Sequence, residues 1–295
     1  MARRTLNRSP RRALARAVPI ALAALLVAAP AASAGLIMPE SGGSPNANDI
    51  STLYKLILAM AIVIFLGVEG ILIWSLFRFR ARRGNVAAQI HGNTRLEIGW
   101  TVGAAVILVF LTVVTFIKLG SIKNPPASDI DARGNPVSGE VLFAQTDRPA
   151  PPRDSASLNI RVDGQQYVWR FQYPGPKAVF AYEEMVVPVG MTVTLDITSD
   201  DVAHSWWIPK LGGKFDAIPG YTNKTWFKAL KPGVYRGQCA ELCGRNHADM
   251  YAQVRAVPFP EYRRWYDRQA ADIQAARDEA AKQRKQLEAQ QAESQ

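Results

Sequence analysis

The chain reads as an α+β membrane protein in which a two-helix transmembrane hairpin is followed by an outer β-sandwich and a C-terminal helix. Three observations predict that order. Two apolar runs, Leu56 to Phe77 and Ile98 to Leu119, are each 22 residues long, against the roughly 20 that a bilayer core requires. Short β-like runs then recur between glycine and proline punctuation across residues 158–257, the pattern of a sandwich of about 100 residues. From Glu261 to Gln295 the chain is rich in Ala, Gln, Arg and Glu and holds no Gly or Pro, a helix-forming composition.

The N-terminus carries Arg3, Arg4, Arg8, Arg11, Arg12 and Arg16, then the apolar run Val18 to Ala29 and Ala32-Ser33-Ala34. Residues 1–34 therefore read as a cleavable secretory signal whose apolar part is too short to span a bilayer. Its removal takes the formal charge from +10 to about +4. Without a basic patch interleaved with aromatics, nucleic acid is not an expected partner.

Residues 49–120 form the expected hairpin, and its partner is the lipid bilayer. Arg78, Arg80, Arg82, Arg83 and Arg95 lie between the two spans, so the positive-inside rule puts that loop in the cytoplasm and both ends of the mature chain outside. Glu69 sits well inside the first span, where an ionised side chain is costly unless it faces a partner or a polar cavity. Glu97 marks the cytoplasmic start of the second span, and His91 before it reads as a solvated loop residue.

Pro125, Pro126, Pro136, Pro149, Pro151 and Pro152 mark residues 121–157 as a linker. Strands are expected at Leu158 to Val162, Tyr167 to Tyr173, Met185 to Val187, Thr192 to Thr198, Thr225 to Phe227, Val234 to Gln238 and Tyr251 to Val257. The tail, 258–295, is expected to be a solvated helix that frays toward Gln295.

The chemistry concentrates in Cys239-Ala240-Glu241-Leu242-Cys243-Gly244-Arg245-Asn246-His247-Ala248-Asp249-Met250, with His204 upstream. The chain has only two cysteines and three histidines, and this set holds both cysteines and two of the histidines. Two thiolates, two imidazoles and a thioether make a soft donor set, and a methionine donor favours copper over zinc. A single blue-copper ion would need one Cys, two His and a weak axial Met, so one thiolate is in excess. A tight loop would let both sulfurs converge and bridge two ions, and Gly244 permits a sharp turn directly after Cys243. Other readings are a disulfide, the default for a cysteine pair outside the cell, a structural Cys2His2 zinc site that leaves Met250 and Glu241 unexplained, and chance spacing.

This CxExCGxxHxxM pattern after a distant His-Ser-Trp resembles the binuclear copper centre, CuA, of subunit II of haem-copper cytochrome c oxidases. The likeness runs from about Asp49 to Trp265. It implies a cupredoxin domain, a Greek-key sandwich with the metal loop between its last two strands. It implies that His204, Cys239, Cys243, His247 and Met250 ligate copper by side chain and Glu241 by its backbone carbonyl. The Glu241 side chain would also reach a magnesium ion shared with subunit I. His91-Gly92-Asn93-Thr94-Arg95-Leu96-Glu97-Ile98-Gly99-Trp100-Thr101 resembles the family's signature at the second span, which implies that Glu97 lies at the mouth of a proton-uptake path into subunit I. The loop Gly212 to Gly220 resembles one that faces subunit I, although Tyr221 stands where the family commonly has arginine.

The stretch Gln165 to Tyr173 sets aromatics at 167, 169, 171 and 173, which in one continuous strand share a face. That stripe is either core or conduction. In the family the matching stretch begins His-Gln-Trp and that tryptophan receives the electron from cytochrome c. The resemblance therefore assigns electron input to Tyr167, with Trp169 beside it. From Arg161 to Arg255 there are 11 basic and 9 acidic residues, so the domain is not acidic overall, leaving Asp200 and Asp201 as a local acidic patch. Trp206 and Trp207 after His204 read as packing aromatics.

On its own residues the site has no general base and no evident open position for substrate, so it is a relay. What the resemblance adds is a complex in a bacterial cell membrane. Electrons from a soluble or tethered cytochrome c pass through the outer copper domain to haem in subunit I, oxygen is reduced to water and protons are pumped, with other oxidase subunits as neighbours. No haem-attachment CxxCH occurs in the chain. The intact ligand set argues against a quinol-oxidase subunit II, and the two spans argue against a soluble nitrous-oxide reductase. A membrane-tethered copper carrier is the non-enzymatic alternative.

Overall fold

The computed structural model describes residues 38–130, apart from 81–83, 85 and 87, and residues 157–293. The signal segment 1–34 and the linker residues 131–156 lie outside the described residues.

Among the described residues two helices come first, α1 (Pro45–Arg78) and α2 (Thr94–Lys123). Each outruns its apolar stretch, because local signals rather than hydropathy set the ends. Pro45 occupies the first turn of α1, where its missing N–H costs nothing and its fixed φ suits a helix. At the start of α2, Asn93 Oδ1 accepts from Leu96 N at 3.2 Å while the Glu97 carboxylate accepts from Asn93 N at 3.2 Å, a reciprocal capping box. Lys118 and Asp49 pair at 3.0 Å and join the outer ends of the two helices. Glu69, well inside α1, is half-buried between exposed neighbours. Phe65, Leu66, Phe77, Phe116 and Ile117 are all exposed along the pair. At roughly 2 kcal/mol each for large side chains left in water, such a surface calls for lipid or other membrane helices around it.

Ten strands follow among the described residues: β1 (Ser157–Gln165), β2 (Val168–Gln172), β3 (Phe180–Tyr182), β4 (Glu184–Pro188), β5 (Thr192–Ser199), β6 (His204–Trp206), β7 (Phe215–Ala217), β8 (Asn223–Lys228), β9 (Gly233–Gln238) and β10 (Tyr251–Val257). One sheet runs β3-β2-β1-β5-β8 and the other β4-β10-β9, with β6 and β7 as a separate ribbon. The β1/β5 and β4/β10 pairs are parallel and the rest antiparallel. Ile160, Val162, Trp169, Phe171, Leu195 and Ile197 from the first sheet share one core with Met185, Val187, Val254 and Ala256 from the second.

The chain changes sheets at Glu183, whose N–H donates to the Trp169 carbonyl while its own carbonyl accepts from Gln253 N, both at 2.9 Å. Holding a non-glycine residue there at φ 61° carries a strain of about 1 kcal/mol or more.

Several sequence expectations need correcting. The Gln165 to Tyr173 stretch is two strands, because β1 runs on to Gln165 and the chain turns at Gln166 and Tyr167 before β2. Tyr167 therefore leaves the shared face, while Trp169, Phe171 and Tyr173 are buried. Strands β3, β6 and β7 have no counterpart among the expected runs; each is three residues long, too short to register as an alternation. The expected linker begins as the last turn of α2, and residues 126–129 lie on the sandwich: Thr192 Oγ1 donates to the Pro126 carbonyl at 2.8 Å and Lys228 Nζ pairs with Asp129 at 3.0 Å.

The tail helix α3 (Phe259–Glu293) is also not solvated throughout. Tyr262, Ala270 and Ile273 are buried, and Trp265 and Tyr266 pack on Tyr173 with ring centroids 5.0 and 6.5 Å away. Residues 274–292 are exposed.

The helix ends are clasped to the sandwich. Asn46 Nδ2 donates to the Trp226 carbonyl at 2.8 Å, Lys228 N donates to Ser44 Oγ at 3.1 Å, and Trp226 Nε1 donates to the Ile122 carbonyl at 2.9 Å.

Candidate metal centre

The loop between β9 and β10 is positioned by main-chain bonds at both ends. Cys239 N donates to the Met250 carbonyl at 2.9 Å, and Ala240 N donates to the Ser205 carbonyl at 2.9 Å, which ties the loop to β6 and so to His204. The close approach of β9 to Trp207 requires Gly237, since a Cβ there would collide with the Trp207 carbonyl oxygen. After Cys243 the chain reverses through Gly244 at φ 134°, a conformation open to glycine, and a short 3-10 turn, His247–Asp249, brings Met250 back.

The result is a chain of donor contacts. His204 Nδ1 lies 3.9 Å from Cys239 Sγ, the two sulfurs are 4.0 Å apart, Cys243 Sγ is 3.6 Å from His247 Nδ1 and 3.8 Å from Met250 Sδ, and the Glu241 carbonyl oxygen is 3.2 Å from Cys239 Sγ. His204, Cys239, Cys243 and Met250 are buried. The two cysteines are free, and 4.0 Å is about twice a disulfide bond length of roughly 2.05 Å. Of the six candidate donors, none is left outside the cluster.

Residues not foreseen as part of the site hold it. Asp201 Oδ1 sits 2.8 Å from His204 Nε2, so the proton of a neutral ring belongs on Nε2 and the Nδ1 lone pair faces the sulfurs. Gln166 Nε2 donates to the Cys243 carbonyl at 2.6 Å, and Arg245 N donates to the Tyr167 hydroxyl at 3.0 Å. The turn after β1 thus clamps the metal loop. Gly164 is required behind His204, because a Cβ would come within 2.9 Å of the ring. The Asp201-x-x-His204 spacing was the available sequence signal; Gly164 and Gln166 had none.

Burial opposes ionisation of both thiols, but hydrogen bonds from His204 and from the Ser205 and Glu241 backbone bring Cys239 down to about 6. Burial together with the neighbouring Cys239 thiolate pushes Cys243 up to about 11. Burial would lower His204, yet its bonds to Cys239 and Asp201 raise it. Without metal, Cys239 is therefore the first of the two thiols to ionise.

The aromatics divide. Trp169 is fully buried and meets the His204 ring edge to face at 5.8 Å, so it is no part of a surface that receives a partner. Tyr167 is partly exposed on the metal-bearing end. Trp206 is buried and stacks on Phe227 at 6.2 Å, while Lys214 lies over the Trp207 ring at 4.6 Å. Glu97 sits on α2, far along the chain from the cluster, and Tyr221 is exposed.

Two family models match the chain, "Cytochrome C oxidase subunit II, transmembrane domain" over residues 31–117 and "Cytochrome C oxidase subunit II, periplasmic domain" over residues 177–257. Cytochrome c oxidase subunit 2 of Cereibacter sphaeroides is 31% identical over 265 residues, covering 83% of this chain and 87% of the relative. The chain belongs to the cytochrome c oxidase subunit II family. It is thus a membrane protein with an outer domain and a component of an oxidoreductase complex. A second subunit 2, from Alkalihalophilus pseudofirmus, is 33% identical over 232 residues and 76% of this chain, which spans 61% of that longer relative. Among solved structures, the periplasmic domain of subunit II from Bradyrhizobium japonicum is 36% identical and covers 40% of this chain and 96% of its own, with a TM-score of 0.39.

Proposed function

We propose that this subunit II chain receives electrons from cytochrome c at a binuclear CuA centre and passes them to haem in subunit I, where oxygen is reduced to water and protons are pumped. The observation that carries the reading is the convergence of five soft or imidazole side-chain donors and one carbonyl at the end of the sandwich. The residues fit the metal: a thiolate reaches a soft ion at about 2.3 Å, so two sulfurs up to about 4.6 Å apart can share one, and here they are 4.0 Å apart. His204, Cys239, Cys243, His247 and Met250 would hold copper by side chain and Glu241 by its carbonyl. When bound, the copper pair supplies a one-electron acceptor whose charge is spread over two ions.

The protein's own part is to keep that centre still and dry. Asp201 fixes the His204 ring, the Gln166 amide fixes the Cys243 carbonyl, and Trp169 closes the inner side of His204. The exposed Glu241 side chain is directed by this reading to a magnesium ion shared with subunit I. Tyr167 is the electron-input residue on the surface, and Glu97 the mouth of the proton path. Lipid and other oxidase subunits cover the exposed apolar helices, the copper domain faces the outside of a bacterial cell membrane, and the donor is a soluble or tethered cytochrome c.

Metal analysis and paramagnetic resonance of the purified oxidase test the assignment. Two coppers per subunit II with a mixed-valence signal are expected. A mononuclear blue-copper signal or stoichiometric zinc would sink it.

A further inference from the structure

We propose that the surface receiving the electron donor is electrically balanced, and that it takes a c-type cytochrome whose docking face is near neutral, with no steering by net charge. The inference rests on the electron-input reading above. Three segments meet around Tyr167: the turn Gln165 to Tyr167, the loop Asp200 to Val202, and the metal loop from Cys243 to Arg245. Gln166 Nε2 and Arg245 N bind the metal loop to the turn, and Asp200 N donates to the Gly164 carbonyl at 3.0 Å.

With Glu241 left to the boundary with subunit I, the charges on this end cancel to within one, the carboxylate of Asp201 being the one left over. Asp200 accepts from Gln165 Nε2 at 2.8 Å and lies 3.4 Å from Arg170 Nη2. Arg170 also pairs at 3.0 Å with the fully buried Asp163, which pairs in turn with Arg161 at 2.7 Å. Arg161, Asp163, Arg170 and Asp200 thus alternate in sign along one connected row and sum to zero. Asp201 turns its carboxylate inward, onto Gln166 N at 2.7 Å, Val202 N at 2.6 Å and the His204 ring. On the metal loop, exposed Arg245 and exposed Asp249 carry opposite charges, and neither has an ion-pair partner among the described residues. Glu241 is the remaining exposed acid of the loop, and it belongs to the boundary with subunit I in the reading above. At the centre stand Gln165, Gln166 and Tyr167, which hydrogen-bond without charge.

A field of this kind neither attracts a lysine-rich partner nor repels it. Complementary net charge raises association well above the unsteered range at low salt and loses that gain as salt screens it. A balanced face selects a donor by hydrogen bonds and shape and leaves its rate nearly independent of ionic strength.

The test is stopped-flow reduction of the copper centre in the purified oxidase by three c-type cytochromes, one lysine-rich, one near neutral and one acidic. Ionic strength is varied from about 10 to about 300 mM, which shortens the screening length from roughly 30 Å to well under 10 Å. The near-neutral donor is expected to be fastest, with a second-order rate constant that changes less than about threefold over the range. A charged donor that is fastest at low salt and slows by about tenfold or more would overturn the proposal. Arg245→Glu keeps the backbone N–H that binds Tyr167 and makes the face acidic. It should speed the lysine-rich donor by about fivefold or more at low salt and not at high salt. If that variant gains nothing, the donor docks elsewhere. Reduction by dithionite but by none of the cytochromes is a different outcome, and it overturns the electron-input reading itself.

Discussion

In the metal-free chain the two thiols 4.0 Å apart cannot share one titration, because ionising the first raises the cost of ionising the second. Cys239 ionises at about 6 and Cys243 at about 11. Thiolate absorbance of the metal-free chain, taken against a Cys239→Ser/Cys243→Ser double variant, should therefore show one thiolate from pH 7 to 9 and a second only above about pH 10. Two thiolates at pH 8 would contradict the coupling. Loading a soft metal at pH 8 must release the Cys243 proton, so affinity should rise with pH across that range. Ligand loss should be graded as well. Cys239→Ser and Cys243→Ser each remove a sulfur that both ions would share and should abolish the two-copper signal. Met250→Ala removes one thioether and should leave two coppers bound with a shifted spectrum. Two coppers retained in either serine variant would refute the bridged arrangement.

At the scale of elements, the sequence was most readable where one signal acts over a long stretch. The two apolar runs lie within α1 and α2, and all seven expected β runs overlap strands, since alternation or a continuous apolar run is a local property. The six candidate donors were legible because donor chemistry is carried by residue type. The rest depended on partners remote in sequence. The turn at Gln166 and Tyr167 comes from pairing of β1 with β2, and the packing of Trp265 and Tyr266 needs Tyr173 beneath them. The capping interaction that opens α2 also bears on Glu97, which binds Asn93 N and sits in the first turn. Glu97→Gln keeps an acceptor for Asn93 N and removes the charge. It should slow steady-state proton uptake by the oxidase several-fold and leave the copper spectrum unchanged. Unaltered turnover would leave Glu97 with its capping role alone.

Across the whole molecule, α3 divides into a docked half and an exposed half. Truncation after Gln274 should shift the thermal midpoint by no more than about 2 °C, since exposed positions contribute little, and should leave copper content unchanged. Truncation after Pro260 removes the buried Tyr262 and Ile273 and the half-buried Trp265 and Tyr266, and at about 3 kcal/mol or more for the buried aromatic alone it should destabilise the sandwich strongly. Equal midpoints for the two truncations would refute the packing of α3. The clasp at the opposite end has its own consequence. Ser44, Asn46 and the Ile122 carbonyl fasten both helix ends to the Trp226 and Lys228 segment of β8, so the sandwich has no free swivel above the bilayer. Tunnelling rates fall exponentially with the gap between redox centres, so even slight rocking of a loosely tethered domain would spread one rate into many. By anchoring to two helices at once, the chain gives every molecule nearly the same gap, and forward transfer should decay as a single exponential.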